Sequence, residues 1–257
     1  MGYVFTYNDA VADDAWFSVP KNREKNELET ELMMNMLRPG FGERILDIGC
    51  GIGMSLLPFI EKGLVGTGLD PSPYMIFFAK NHLGNRADLH RGFAEELPFS
   101  DNSFDHACLI KTLEFVDDPQ KAIEEACRVA KDRLLIGLLN PHSTRGTRLR
   151  VQRIFTKTIY NHAHFFSIWA VKQIIRTVLG DVPISWRTIS QFPSAGTGGL
   201  SHRIGHSDLV QRSPFGAFTG MVVTLVPRFR TRPLELSPYP VKPAGSAVGG
   251  LARNERR

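Results

Sequence analysis

Residues 45–53, Ile45-Leu46-Asp47-Ile48-Gly49-Cys50-Gly51-Ile52-Gly53, decide how the rest of the chain is read. A short apolar strand carries one carboxylate, and glycine then falls at every second position of the turn that follows. Such a turn lets a ligand press against backbone where a side chain would stand in the way. Seventeen residues beyond Gly53, the run Leu64-Val65-Gly66-Thr67-Gly68-Leu69 ends on a second carboxylate, Asp70. Strand, glycine turn, helix, strand, acid describes half of a nucleotide-type binding crevice.

The pattern repeats outward from there. Strand 44–48 leads to helix 54–62, strand 64–69 to helix 73–82, a short strand follows at 88–92, and strand 104–110 leads to helix 119–130. Ser72-Pro73 and Asp118-Pro119 each supply an N-cap and a proline for the first helical position. Strand 133–139 is nearly all apolar, as a strand covered on both faces should be. Alternation of this kind predicts a parallel sheet with helices on both sides. Upstream, residues 21–37 read as a helix with Leu28, Leu32, Met36 and Leu37 on one face, stopped by Pro39-Gly40. Residues 1–20 read as irregular, with Tyr7, Trp16 and Phe17 forming a gate. Downstream, 167–179 is a helix capped by Ser167, and 184–189 and 216–226 are two strands without a helix between them, a hairpin-like end to the sheet. Residues 194–213 read as a long Gly-, Ser- and His-rich loop, and 230–257 as disordered.

The turn discriminates between ligands. A dinucleotide fingerprint, G-x-G-x-x-G, needs its third glycine at position 54, where this chain has Met54. Asp47, just before the turn, would repel a pyrophosphate and suits a cationic group. On Asp47, Gly49, Gly51, Gly53 and Asp70 the segment resembles the class I S-adenosylmethionine-dependent methyltransferases. The likeness continues through Gly92-Phe93-Ala94-Glu95-Glu96-Leu97-Pro98-Phe99, Asp101-Asn102-Ser103-Phe104-Asp105 and Leu113-Glu114-Phe115-Val116-Asp117-Asp118-Pro119. Asp13-Asp14-Ala15-Trp16-Phe17 resembles the family's Y-D-x-W-F lid segment, with Asp13 in place of the tyrosine. Two further departures are Phe93, where the family often has an acid, and Glu114, where it often has histidine. Bacterial methyltransferases of small metabolites, the group with the quinone and lipid methylases, are the nearest in kind.

The resemblance implies a doubly wound α/β fold, a mostly parallel seven-stranded sheet with an antiparallel last strand. It implies a lid and helix over 1–38, a methyltransferase domain over 39–229 and a tail over 230–257. It implies S-adenosylmethionine as cofactor and a small-molecule methyl acceptor as partner. Asp70 would then accept both ribose hydroxyls, since a carboxylate offers two oxygens for two donors. Asp47 would bind the cationic tail directly or through water, Phe93 and Ala94 would flank the adenine, and the backbone of Ile110 and Lys111 would lie near the sulfonium. Glu114 and His164 are the candidate general bases, weighed against an exposed acid and a packing or capping histidine. His202 and His206, four apart in a glycine-rich loop with no third ligand, do not make a metal site.

Composition bounds the alternatives. The 257 residues are 42% hydrophobic and 22% charged, ordinary for a globular protein, with no apolar run near the roughly 20 residues of a membrane span. Met1-Gly2-Tyr3-Val4 lacks a signal-peptide layout, and Cys50, Cys108 and Cys127 lack metal spacing, so reduced thiols and a cytoplasmic setting are expected. Charge is uneven: residues 1–126 hold 11 Lys and Arg against 21 Asp and Glu, and residues 127–257 hold 20 against 5. A basic half keeps an RNA methyltransferase open as the alternative, although aromatic residues do not interleave with the charges. A non-catalytic module that kept the cofactor fold as a binding surface is the third reading. Oligomeric state is not written in the sequence.

Overall fold

Seven strands form one sheet in the order β3-β2-β1-β4-β5-β7-β6. In the computed structural model, which describes residues 2–141, 143, 159–189 and 213–225, they are β1 (Arg44–Ile48), β2 (Val65–Asp70), β3 (Ala87–Arg91), β4 (Phe104–Ile110), β5 (Ala130–Leu139), β6 (Ile184–Ile189) and β7 (Phe218–Thr224). The first five pair in parallel. β7 runs antiparallel between β5 and β6. The expected sheet and its reversed last strand are both present.

Helices cover both faces. α2 (Pro20–Leu37), α3 (Leu57–Glu61) and α4 (Pro73–Leu83) press Leu32, Leu37, Phe59 and Leu83 onto one side of the sheet. α5 (Pro119–Val129) and α6 (Ile168–Leu179) press Ile123, Ala126, Val171 and Ile175 onto the other. The helix starts are those the sequence marks: the Ser72 hydroxyl accepts from Met75 N–H at 3.3 Å, Asp118 from Lys121 N–H at 2.9 Å and Ser167 from Ala170 N–H at 3.2 Å. β1 and β2 meet in register, Asp47 opposite Gly68, so the glycine turn and Asp70 emerge at the same end of the sheet.

Three boundaries differ from the sequence reading. Residues 7–18 are not irregular but form α1 (Tyr7–Ser18), started by a capping box in which Thr6 and Asp9 exchange bonds. The α3 helix is shorter than expected, because residues 51–56 stay in successive turns and Pro58 fixes its first turn. β5 begins at Ala130, directly at the end of α5, where a register shift between Phe104 and His106 lets Ala130 pair with Phe104. The loop 194–213 with its two histidines and the segment 230–257 lie outside the described residues.

The acidic first half and basic second half meet in part. Arg128, on α5, donates to Leu97 O, Phe99 O and the carboxylates of Asp101 and Glu125, at 2.7–3.0 Å. Glu125 in turn accepts from Leu97 N–H at 2.9 Å. Lys131 pairs with Asp105 at 3.2 Å. Arg128 thus clamps the loop that follows β3 onto the helix behind it. Replacing Arg128 with Ala leaves those acceptors without their charged donor and should cost about 2–3 kcal/mol, read as a lowered denaturation midpoint at unchanged m-value.

Candidate functional site

The glycine turn is tied down at its first two residues. Gly49 N–H and Cys50 N–H both donate to Leu69 O, at 2.7 and 3.0 Å, locking the turn to the end of β2. Gly49, Gly51 and Gly53 all have positive φ, 74°, 53° and 86°. Their surroundings differ. A Cβ at Gly49 would stand 2.4 Å from Thr112, whose hydroxyl donates to Ile48 O at 2.8 Å. A Cβ at Gly53 would strike Leu83 of α4 at 2.8 Å. At Gly51 a Cβ would meet nothing within 4 Å, because that backbone faces open space. Two of the glycines allow close packing, and the middle one presents main chain to a ligand.

That space is a cavity of about 640 Å³ at the carboxyl end of the sheet, within the ordinary range for a small-molecule site. Its floor is the glycine turn, Asp70, Phe93 and Ala94, and the ends of β4 and β5 at Ile110, Lys111 and Leu139. Asp70 is buried, and each of its oxygens accepts one backbone N–H, from Gly51 at 3.0 Å and from Ser72 at 2.9 Å. Each oxygen keeps lone-pair capacity for a further donor. Burial, with Asp13 nearby, raises its carboxyl to about 6.

Asp47 stands one layer back. It is fully buried and not on the cavity wall; the Ser55 hydroxyl, which is on the wall, donates to it at 2.6 Å. The Cys108 thiol donates to its other oxygen at 3.6 Å, and burial raises the carboxyl to about 6. At this point of the wall the cavity meets Ser55 and not Asp47. With its proton committed to Asp47, that hydroxyl offers only lone pairs to the cavity.

The roof comes from the N-terminus. Tyr3 and Phe5 line the cavity beside Phe115, held by Tyr3 N–H on Phe115 O and by the Ser72 hydroxyl on Phe5 O. α1 crosses above with Asp9, Ala12, Asp13, Trp16 and Phe17 facing in, a spacing that puts them on one helix face. Trp16 and Phe17, two of the three residues of the expected gate, line this wall. Tyr7 is not: it lies exposed, edge-on to Tyr74 of α4.

Of the remaining expected residues, Ile110 and Lys111 are on the wall, and Lys111 takes a left-handed backbone, φ 57°. Its ammonium pairs with buried Glu29 of α2 at 2.6 Å and lies 5.6 Å from the Phe218 ring centre. Glu114 and His164 are not brought to the cavity. Glu114 is completely buried behind the wall, where one oxygen accepts Leu139 N–H at 2.8 Å and burial raises the carboxyl to about 7. His164 is not on the cavity wall; it lies exposed beside a second concavity that adjoins the cavity at Tyr3 and Phe115, its backbone N–H donating to Glu114 O at 2.7 Å. Neither is placed to take a proton from a group in the cavity. Ser55, Asp13 and the Tyr3–Phe5 segment line the site without having been singled out in the sequence. Only Asp13 had a visible signal, as the residue in the tyrosine position of the lid motif.

The geometry agrees with comparisons to known proteins. A family model described as a methyltransferase domain matches residues 46–134. MJ1123 of Methanocaldococcus jannaschii is 32% identical over 165 residues, 63% of this chain and 74% of that protein. A demethylmenaquinone methyltransferase of Renibacterium salmoninarum is 39% identical over 90 residues, 35% of this chain and 38% of that enzyme, so the likeness there spans well under half of the relative. The crystal structure of a Thermotoga maritima SAM-dependent methyltransferase, described as a possible histamine N-methyltransferase, superposes with a TM-score of 0.67 at 25% identity, covering 85% of this chain and 96% of the other. The glycine turn and the acid at the end of β2 lie within the matched segment, and the chain belongs to the class I S-adenosylmethionine-dependent methyltransferase family.

Proposed function

We infer that this chain transfers a methyl group from S-adenosylmethionine to a small-molecule acceptor held beneath α1. The observation that carries the reading is Asp70: a buried carboxylate at the end of β2, braced by two backbone N–H groups, facing a cavity beside open glycine backbone. The residues present fit the cofactor. Asp70 would accept the ribose hydroxyls, and Phe93 and Ala94 would flank the adenine. The Ser55 hydroxyl, oriented by Asp47, would accept from the ammonium of the amino-acid tail. Ile110 and Lys111 would border the reacting end. The cofactor supplies an electrophilic methyl group on a sulfonium, and the hard chemistry is its own. The chain's contribution is to hold the acceptor in line and to exclude water, which the Tyr3–Phe5 segment and α1 are positioned to do.

A small acceptor is supported by the size of the cavity and by a relative named for demethylmenaquinone. An RNA acceptor is the alternative; of the basic half, Arg128 and Lys131 are already paired with acids. A labelled-methyl transfer assay against extracted metabolites and RNA fractions tests the reading. Label in small molecules supports it, label in RNA selects the alternative, and no label with intact cofactor binding selects the non-catalytic module.

Two outcomes follow from the site. Asp70→Ala should weaken S-adenosylmethionine binding by about 1.5–3 kcal/mol per lost charge-assisted hydrogen bond, measured by calorimetry; unchanged affinity rejects the assigned pose. Stability should also depend on pH. Asp13, Asp47 and Asp70 are raised from 3.8 to about 6, and Glu114 from 4.5 to about 7, all chiefly by burial. The folded chain therefore binds more protons than the unfolded one between about pH 4 and 7, and stability falls as pH rises through that window. Asp9, Glu43, Asp105 and Glu125 are lowered and lose their contribution only at more acid pH. The ligand-free protein should melt higher at pH 5 than at pH 8, and saturating S-adenosylmethionine should narrow the gap. A melting temperature that climbs from pH 5 to 8 without ligand contradicts the buried-carboxylate account.

A further inference from the structure

The charges around the roof do not balance. Asp9 is held by its neighbours: one of its oxygens accepts from the Tyr3 hydroxyl, from Thr6 N–H and from the Thr6 hydroxyl, at 2.7–2.9 Å. Asp13, one turn further along the same face of α1, lines the cavity with no hydrogen bond or ion pair to any described residue. The charged groups facing it are Lys111 at the end of β4, His82 of α4, Asp14 of its own helix and Asp70 at the end of β2. Lys111 is held by Glu29 at 2.6 Å, and the His82 ring by Asp14 at 2.9 Å. Among the described wall residues Lys111 is the one cation, against the carboxylates of Asp9, Asp13, Asp70 and Glu95. A half-buried carboxylate with no bonded partner of its own keeps its acceptor capacity for a cation that a ligand brings.

Asp13 also has company suited to a cation. Trp16 is three residues along α1 and Phe17 four, so both rings share its face and both line the cavity. Ring faces attract a cationic nitrogen, and a desolvated site strengthens the attraction. Tyr3, Phe5 and Phe115 close the same side. Apart from Phe115, this wall is built by N-terminal residues outside the matched segment 46–134, which holds the glycine turn and Asp70.

We propose that the methyl acceptor carries a positively charged nitrogen, held by the Asp13 carboxylate against the Trp16 and Phe17 rings. Asp13 is thus a specificity residue for a cationic small molecule. The assignment rests on the methyltransferase reading above, since it takes the opposite wall as the cofactor's. It concerns the group by which the acceptor is recognised, and the methylated atom is a separate matter.

The test uses the full chain saturated with S-adenosylhomocysteine, whose sulfur is neutral, and two probes of equal shape, 2-phenylethylamine and 2-phenylethanol, titrated at pH 8. The amine should bind at least tenfold more tightly than the alcohol. Asp13→Asn should abolish that preference, Trp16→Leu should reduce it, and Asp13→Glu should retain part of it, with S-adenosylhomocysteine affinity within twofold of wild type throughout. Equal binding of the two probes by wild type overturns the proposal, as does failure of both to bind. Loss of S-adenosylhomocysteine affinity in Asp13→Asn overturns it too, by giving Asp13 to the cofactor's own ammonium. Failure of the wild-type chain to bind S-adenosylhomocysteine is a different result and removes the cofactor reading itself.

Discussion

The site depends on one carboxylate joining two crossovers. Asp70 ends β2 and accepts a backbone N–H from the glycine turn after β1 and another from Ser72 at the start of α4. Backbone amides that would otherwise repel one another are drawn to a single anion, which fixes both turns at the same end of the sheet. Ser72 continues the link, because its hydroxyl caps α4 and also donates to Phe5 in the N-terminal segment. Floor and roof of the cavity are thus held by one short chain of polar contacts. An acid is needed there on structural grounds before any ligand arrives, and the same acid is what a ribose would find.

Most of the sheet was legible because its signals are local. Alternating strand and helix patterns, Ser72-Pro73 and Asp118-Pro119 mark element starts whatever the tertiary contacts, and the strands from β1 to β4 fall within a residue of expectation. The same holds for the acid at the end of β2 and for the glycines. α1 was illegible for a physical reason. A helix packed on a core shows an apolar stripe, whereas the inward face of α1 carries Asp9 and Asp13 because it lies over a cavity. Its start was nonetheless written in the Thr6–Asp9 capping box.

Side-chain direction was the other thing sequence could not supply. Asp47 near the end of β1 and Glu114 in the turn after β4 both stand close to the site in sequence, yet both turn inward, to Ser55 and to Leu139 N–H respectively. A carboxylate near a site in sequence can serve as scaffold, and only its partners in space say which. Ser55 illustrates the converse: an unremarkable hydroxyl in a turn becomes a wall residue because a buried acid fixes its proton.

Glu114 has a consequence beyond the site. Its side chain receives Leu139 N–H at the end of β5, and its carbonyl receives His164 N–H just before α6. A single residue therefore grips the chain on both sides of the intervening stretch of some two dozen residues. The end of β5 and the approach to α6 are thereby tied to one point of the chain just after β4, so three successive crossings of the sheet share a single anchor.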